Sequence, residues 1–214
     1  MQFSKYYIEK LLIYVSFLLL SLVLTNCIFV KKHTEELDEY ISVDLIQKPK
    51  IIMGDEILRS EKGDMISLLP KDWFFIDLGP DTPNDVFAIA VNPDYSLALV
   101  FSCIKPNPMI DDIYKEQKLI GLANFFFDKK QKKALGGLVK SHTISTFTSS
   151  HMQFVMYKYR TKSQPIFSYN AVFRSTIDNV YEISMIPLNL SGITMPSDFE
   201  METIFTSVLA TVRY

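Results

Sequence analysis

The residue with the clearest chemical prospect is Cys27, which closes the apolar run Leu11–Val30, LLIYVSFLLLSLVLTNCIFV. Leu24-Thr25-Asn26-Cys27 follows the pattern of a bacterial lipobox, in which the cysteine becomes the acylated first residue of the mature chain. Asn26 is larger than the Gly, Ala or Ser usual at its position. Two other readings stay open. Lys5 and Lys10 followed by Leu11–Leu24 match the start and centre of a secretory signal, although no Ala-x-Ala site follows. The run is also long enough to remain as an uncleaved helix, since about 20 apolar residues span a bilayer. Lysines on both sides (Lys5, Lys10, Lys31, Lys32) give little orienting bias. The lipid anchor and the uncleaved anchor both place the rest of the chain at a membrane face or outside the cytoplasm.

The second group with chemical potential is Lys129, Lys130, Lys132 and Lys133, just before Gly136-Gly137. Lysines complement the negative end of a helix dipole and glycine ends a helix, so a structural role explains them. The functional alternative is contact with a membrane surface or an acidic partner. Other candidates are weaker. His142 and His151 have no clear carboxylate partner for a metal site. Asp111 and Asp112 are adjacent and would point about 100° apart on a helix, which is poor geometry for an acid/base pair. With Cys27 acylated, Cys103 would have no disulfide partner, and its apolar strand reads as burial rather than reactivity. Gly-x-Ser-x-Gly, His-Glu-x-x-His and a phosphate-cradling glycine loop are all missing from the sequence. No cofactor is implied.

These residues need a scaffold. Of 214 residues, about 180 follow the apolar run, enough for one domain with a real core. Net charge is −2, and cleavage before Cys27 would remove Lys5, Lys10 and Glu9, leaving −3. Such a balance argues against nucleic acid as a partner. Three segments follow: residues 1–30 as signal or anchor, 31–50 as a charged tether containing His33, Glu35, Glu36, Asp38 and Glu39, and 51–214 as a single domain.

Within the domain, Glu56–Ser60 and Met65–Leu69 alternate as strands around Glu61-Lys62-Gly63-Asp64, and Pro70 ends the second. Val86–Val91 and Ser96–Ile104 form a hairpin around Asn92-Pro93-Asp94-Tyr95, a type I turn with proline at its second position. Both faces of its second strand are apolar enough to be covered. A helix is expected from Asp111, as cap, to Lys133. The period then returns to two, predicting hairpins at 139–147/152–160 and 166–175/180–186. Ser197-Asp198-Phe199-Glu200 reads as a capping box. Met201, Ile204, Phe205, Val208, Leu209 and Val212 then give a helical core stripe. The order predicts an α+β fold: a twisted antiparallel sheet with helices packed on its faces.

The stretch Gly63-Asp64-Met65-Ile66-Ser67-Leu68-Leu69-Pro70-Lys71-Asp72-Trp73 resembles the opening of PsbP-like domains, where a glycine turn leads into a strand ending in Pro-x-x-Trp. In element order the resemblance covers residues 55–214. It implies a non-enzymatic domain, since relatives in photosystem assembly, in nuclear transport and among bacterial envelope lipoproteins act by binding. It transfers no functional residue, because Pro70 and Trp73 are structural in that pattern. The expected function is thus a membrane-tethered binding or assembly domain of a bacterial cell envelope, anchored in the cell or outer membrane with a protein partner there. The alternative is a lipoprotein that binds a small ligand or lipid in a pocket between helix and sheet. An enzyme with dispersed catalytic residues ranks last.

Overall fold

The computed structural model describes residues 39–43, 48–149 and 152–213. The apolar run, Cys27, His33 and His151 lie outside the described residues, as does the side chain of His142. Among the described residues, ten strands and two helices follow in the order β1 (Glu39–Val43), β2 (Met53–Arg59), β3 (Ile66–Pro70), β4 (Phe74–Phe75), β5 (Val86–Val91), β6 (Leu97–Ile104), α1 (Pro108–Lys133), β7 (Leu138–Ser149), β8 (Met152–Thr161), β9 (Ser168–Arg174), β10 (Val180–Pro187) and α2 (Asp198–Thr211).

Eight strands form one sheet in the order β1-β7-β8-β9-β10-β6-β5-β4, while β2 and β3 make a separate ribbon. Every pair in the large sheet is antiparallel except β1 with β7. Strand β1 falls inside the segment expected to be a charged tether. Its alternation, Tyr40 and Ser42 against Ile41 and Val43, is hidden in the sequence by the acidic residues before it. It pairs in register with Thr143–Phe147.

The two sheet faces carry different cores. On β10, Tyr181, Ile183 and Met185 join Phe101, Phe173, Met201, Phe205 and Val208 in a core beneath α2 and the ribbon. Val180 points the other way, to Leu122, Phe126, Ile144, Val155, Tyr157 and Val172 beneath α1. Helix α2 starts with the expected capping box at Ser197 and Glu200. Its fully buried Met201, Phe205, Val208 and Leu209 each contribute about 1.5–3 kcal/mol of burial. The ribbon is stitched to α2 by Thr211, whose Oγ1 accepts from the Leu68 amide at 3.0 Å, and by reciprocal backbone bonds between Ile66 and Arg213.

Helix α1 departs from the sequence reading at its start. Asn107 rather than Asp111 is the cap: its side chain accepts from the Met109 amide at 2.9 Å, and Pro108 occupies the first turn, where its missing N–H costs nothing. The helix is broken at Lys118, whose φ of 57° and ψ of −151° lie in a region normally left to glycine. The Asn92–Tyr95 turn forms as expected, with the Tyr95 amide donating to the Asn92 carbonyl at 3.0 Å. Trp73 and Leu69 are core residues.

Candidate functional site

The lysines at the end of α1 do not form one patch. Lys130 turns inward, and its Nζ donates to Glu182 Oε2 at 2.5 Å and to the Tyr157 hydroxyl at 3.2 Å. Tyr157 in turn donates to Glu182 Oε1 at 2.5 Å. Glu182 is only 8% exposed on the central strand β10, where an unpaired carboxylate would be very costly. Burial raises the Tyr157 hydroxyl well above its ordinary range, and the Glu182 carboxylate adds to the effect. Tyr159, beside it, is pushed up to about 12 by burial first and Glu182 second. Asn170 and Ser184 continue this polar inlay across β9 and β10, with Ser184 Oγ donating to Asn170 Oδ1 at 2.8 Å.

Where the ends of β7–β10 meet the end of α1, an open groove of about 430 Å³ forms. Lys130, Lys133, Leu138, Tyr159, Arg160 and Ile186 are among the residues lining it. Arg160 is held there by its donation to the Gln164 carbonyl at 3.1 Å, with its guanidinium 5.8 Å from the Phe167 ring. Lys129 points elsewhere, into a second open groove of about 340 Å³ with Asp85, Ile110 and Phe125. Lys132 and Lys133 are exposed. The helix closes through Leu135 (φ 49°) and Gly136 (φ 77°), and Leu135 is 95% exposed. The α1 terminus therefore offers cations and apolar surface to solvent, which suits binding of anionic groups attached to an apolar body.

A second polar cluster lies at the ribbon turn. Asp64 accepts from Ser60 Oγ (2.9 Å), Ser175 Oγ (2.5 Å), Asn179 Nδ2 (2.7 Å) and the Tyr181 hydroxyl. Burial works to raise its carboxyl, but these four bonds outweigh burial and hold it at about 2. Every donor aims at one carboxylate, so the cluster ties the β2–β3 turn to the β9–β10 turn. Its role is structural.

The remaining candidates are dispersed. Asp111 faces Arg174 at 3.7 Å, and Asp112 pairs with Lys115 at 3.5 Å, so neither serves the other. Cys103 is a free, half-buried thiol. Among the described residues, no three metal-ligating side chains converge and no helix is long and apolar enough to cross a membrane. Sequence reasoning overlooked Asp64, Glu182, Arg160 and Leu135. The available signal for Glu182 was a lone carboxylate inside the apolar strand Val180–Ile186. For Asp64 it was only a place in a glycine turn.

No family model matches the chain, and no curated protein matches it. Among solved structures, the fold is similar to the solution structure of cyanobacterial PsbP (CyanoP) from Synechocystis sp. PCC 6803. The TM-score is 0.52 at 12% identity, over 74% of this chain and 92% of that one. The Ran-binding protein Mog1p of Saccharomyces cerevisiae gives a TM-score of 0.47 at 12% identity, over 75% and 95%. The likeness to CyanoP makes the fold PsbP-like, as the Gly63–Trp73 stretch suggested.

Proposed function

We propose that this chain is a non-enzymatic binding or assembly domain, held at a bacterial cell or outer membrane by its N-terminal run and presented outside the cytoplasm. One observation carries the binding half of this reading. The buried ionisable groups are spent on internal partners, Asp64 on four donors and Glu182 on Lys130 and Tyr157. The groups left facing solvent at the end of α1 (Lys132, Lys133, Leu135 and the groove with Arg160) are suited to recognition instead. The likeness to a PsbP domain supports the same reading through the fold. The tethering half rests on Leu11–Val30 and on Cys27 in its lipobox-like setting. A tether keeps the domain at high effective concentration beside membrane partners.

The groove between the end of α1 and the strand ends favours one alternative, a lipoprotein that holds a small ligand or lipid between helix and sheet. Intact-mass analysis of membrane-extracted protein, wild type beside Cys27→Ala, tests the anchor. A wild-type mass lacking residues 1–26 and carrying acyl chains, with both features lost in the variant, supports the lipid tether. An unmodified full-length mass in both leaves a helical anchor. Recovery of the chain only from the soluble fraction removes the tethered reading altogether.

A further inference from the structure

We propose that the turn closing α1 is a lipid-contact tip: Leu135 enters the interface of an anionic bilayer while Lys132, Lys133 and Lys162 hold the headgroup phosphates. The proposal rests on the membrane-tethered reading above and adds an orientation for the domain. Leu135 is the most exposed large apolar side chain among the described residues. Its exposure is built into the backbone. The Gly136 amide donates to the Gln131 carbonyl at 3.0 Å and the Gly137 amide to Ala134 at 2.8 Å, a closed cap that holds Leu135 in the left-handed region with its side chain in water. Helices normally place Gly or Asn in that conformation, so leucine there gives up backbone comfort and leaves its apolar area exposed.

Charge decides what would cover it. Lys132 and Lys133 precede Leu135, and the Lys162 amide donates to the Gly137 carbonyl at 2.9 Å, which brings a third exposed lysine to the same turn. Asp128, one turn before Lys132 on α1, is also exposed and carries the opposite charge. Phe199 supplies an internal contrast. It is 79% exposed but stands beside Asp198, Glu200 and Glu202, of which Lys158 pairs with the first and last, leaving a net negative setting that an anionic surface repels. Lys130 belongs to Glu182 and takes no part. An apolar tip ringed by lysines matches the surface of a bilayer carrying acidic lipids, where each basic residue strengthens binding roughly fivefold and the apolar side chain seats among the acyl chains.

The test uses the full chain with vesicles of brominated phosphatidylcholine, alone or mixed with phosphatidylglycerol. Leu135→Trp and Phe199→Trp report lipid contact by quenching, and Trp73, buried in the core, supplies a common background. Expected is strong quenching of Leu135→Trp on the anionic vesicles. It should fall at least fivefold in high salt or with Lys132→Glu and Lys133→Glu added, while Phe199→Trp stays unquenched. Flotation of the same samples separates the two readings. A chain that floats with both vesicle types but shows no quenching at position 135 overturns the tip and leaves the tether standing. A chain that floats only with anionic vesicles, quenched at 135, supports the tip and counts against the tether. Equal quenching at 135 and 199 also overturns the tip, because contact would then be unoriented.

Discussion

Replacing Asp64 with asparagine should reveal how far one buried carboxylate holds the ribbon to the sheet. Four side chains donate to it, and an amide of the same shape would turn an N–H₂ group toward donors that need an acceptor. The magnitude follows from the ionisation. A carboxyl lowered from 3.8 to about 2 contributes about 2 kcal/mol in its charged form. The mismatched amide adds a further penalty of about 1–2 kcal/mol for an unsatisfied buried group. Asp64→Asn should therefore lose about 3–4 kcal/mol at pH 7, measured by urea unfolding of the detergent-solubilised chain through Trp73 fluorescence. The pH dependence has a definite sign. Because the folded carboxyl titrates lower than the unfolded one, its contribution is complete above about pH 4. It drains away as pH falls toward 2. The gap between wild type and variant should narrow by about 2 kcal/mol across that window. A loss below about 1 kcal/mol at pH 7, or a gap that stays constant through the window, refutes this account of the turn-to-turn tie.

Two further outcomes are expected. Glu182→Leu strands the Tyr157 hydroxyl and leaves Lys130 without its counter-charge, so it should cost about 3 kcal/mol, the low end for a broken buried pair because Lys130 is partly exposed. Adding Lys130→Met should recover at least about 1 kcal/mol of this, and strict additivity in the double-mutant cycle would count against the buried pair. At Lys118, whose φ of 57° and ψ of −151° favour glycine, Lys118→Gly should raise stability by about 1 kcal/mol despite glycine's low helix propensity. A lower midpoint for that variant would show the kink to be relaxed as it stands.

Local patterns in the sequence were enough to define most elements. The Asn92–Tyr95 turn, the hairpins of β5–β6 and β7–β10, the capping box at Ser197 and the α2 core stripe all depend on residues within a few positions of each other, so spacing reveals them. Two local readings failed for local reasons. Asn107 with Pro108 outcompeted Asp111 as the cap of α1, and the acids around Asp38 obscured the alternation of β1.

What the sequence could not decide was how distant residues combine. The lysines at 129–133 look like one basic cluster, yet a helix distributes successive side chains around its axis at about 100° intervals. Lys130 consequently meets Glu182, Lys129 lines a separate groove, and Lys132 and Lys133 remain in solvent. Asp64 reads as an ordinary turn residue until the sheet brings Ser175, Asn179 and Tyr181 to it from more than 100 positions away. Leu135 resembles any apolar residue between a helix and a strand until the closing turn holds it in water. Periodicity carries information about which face a residue takes. Which partner waits on that face depends on strand order and register, and these exist only once the chain has folded.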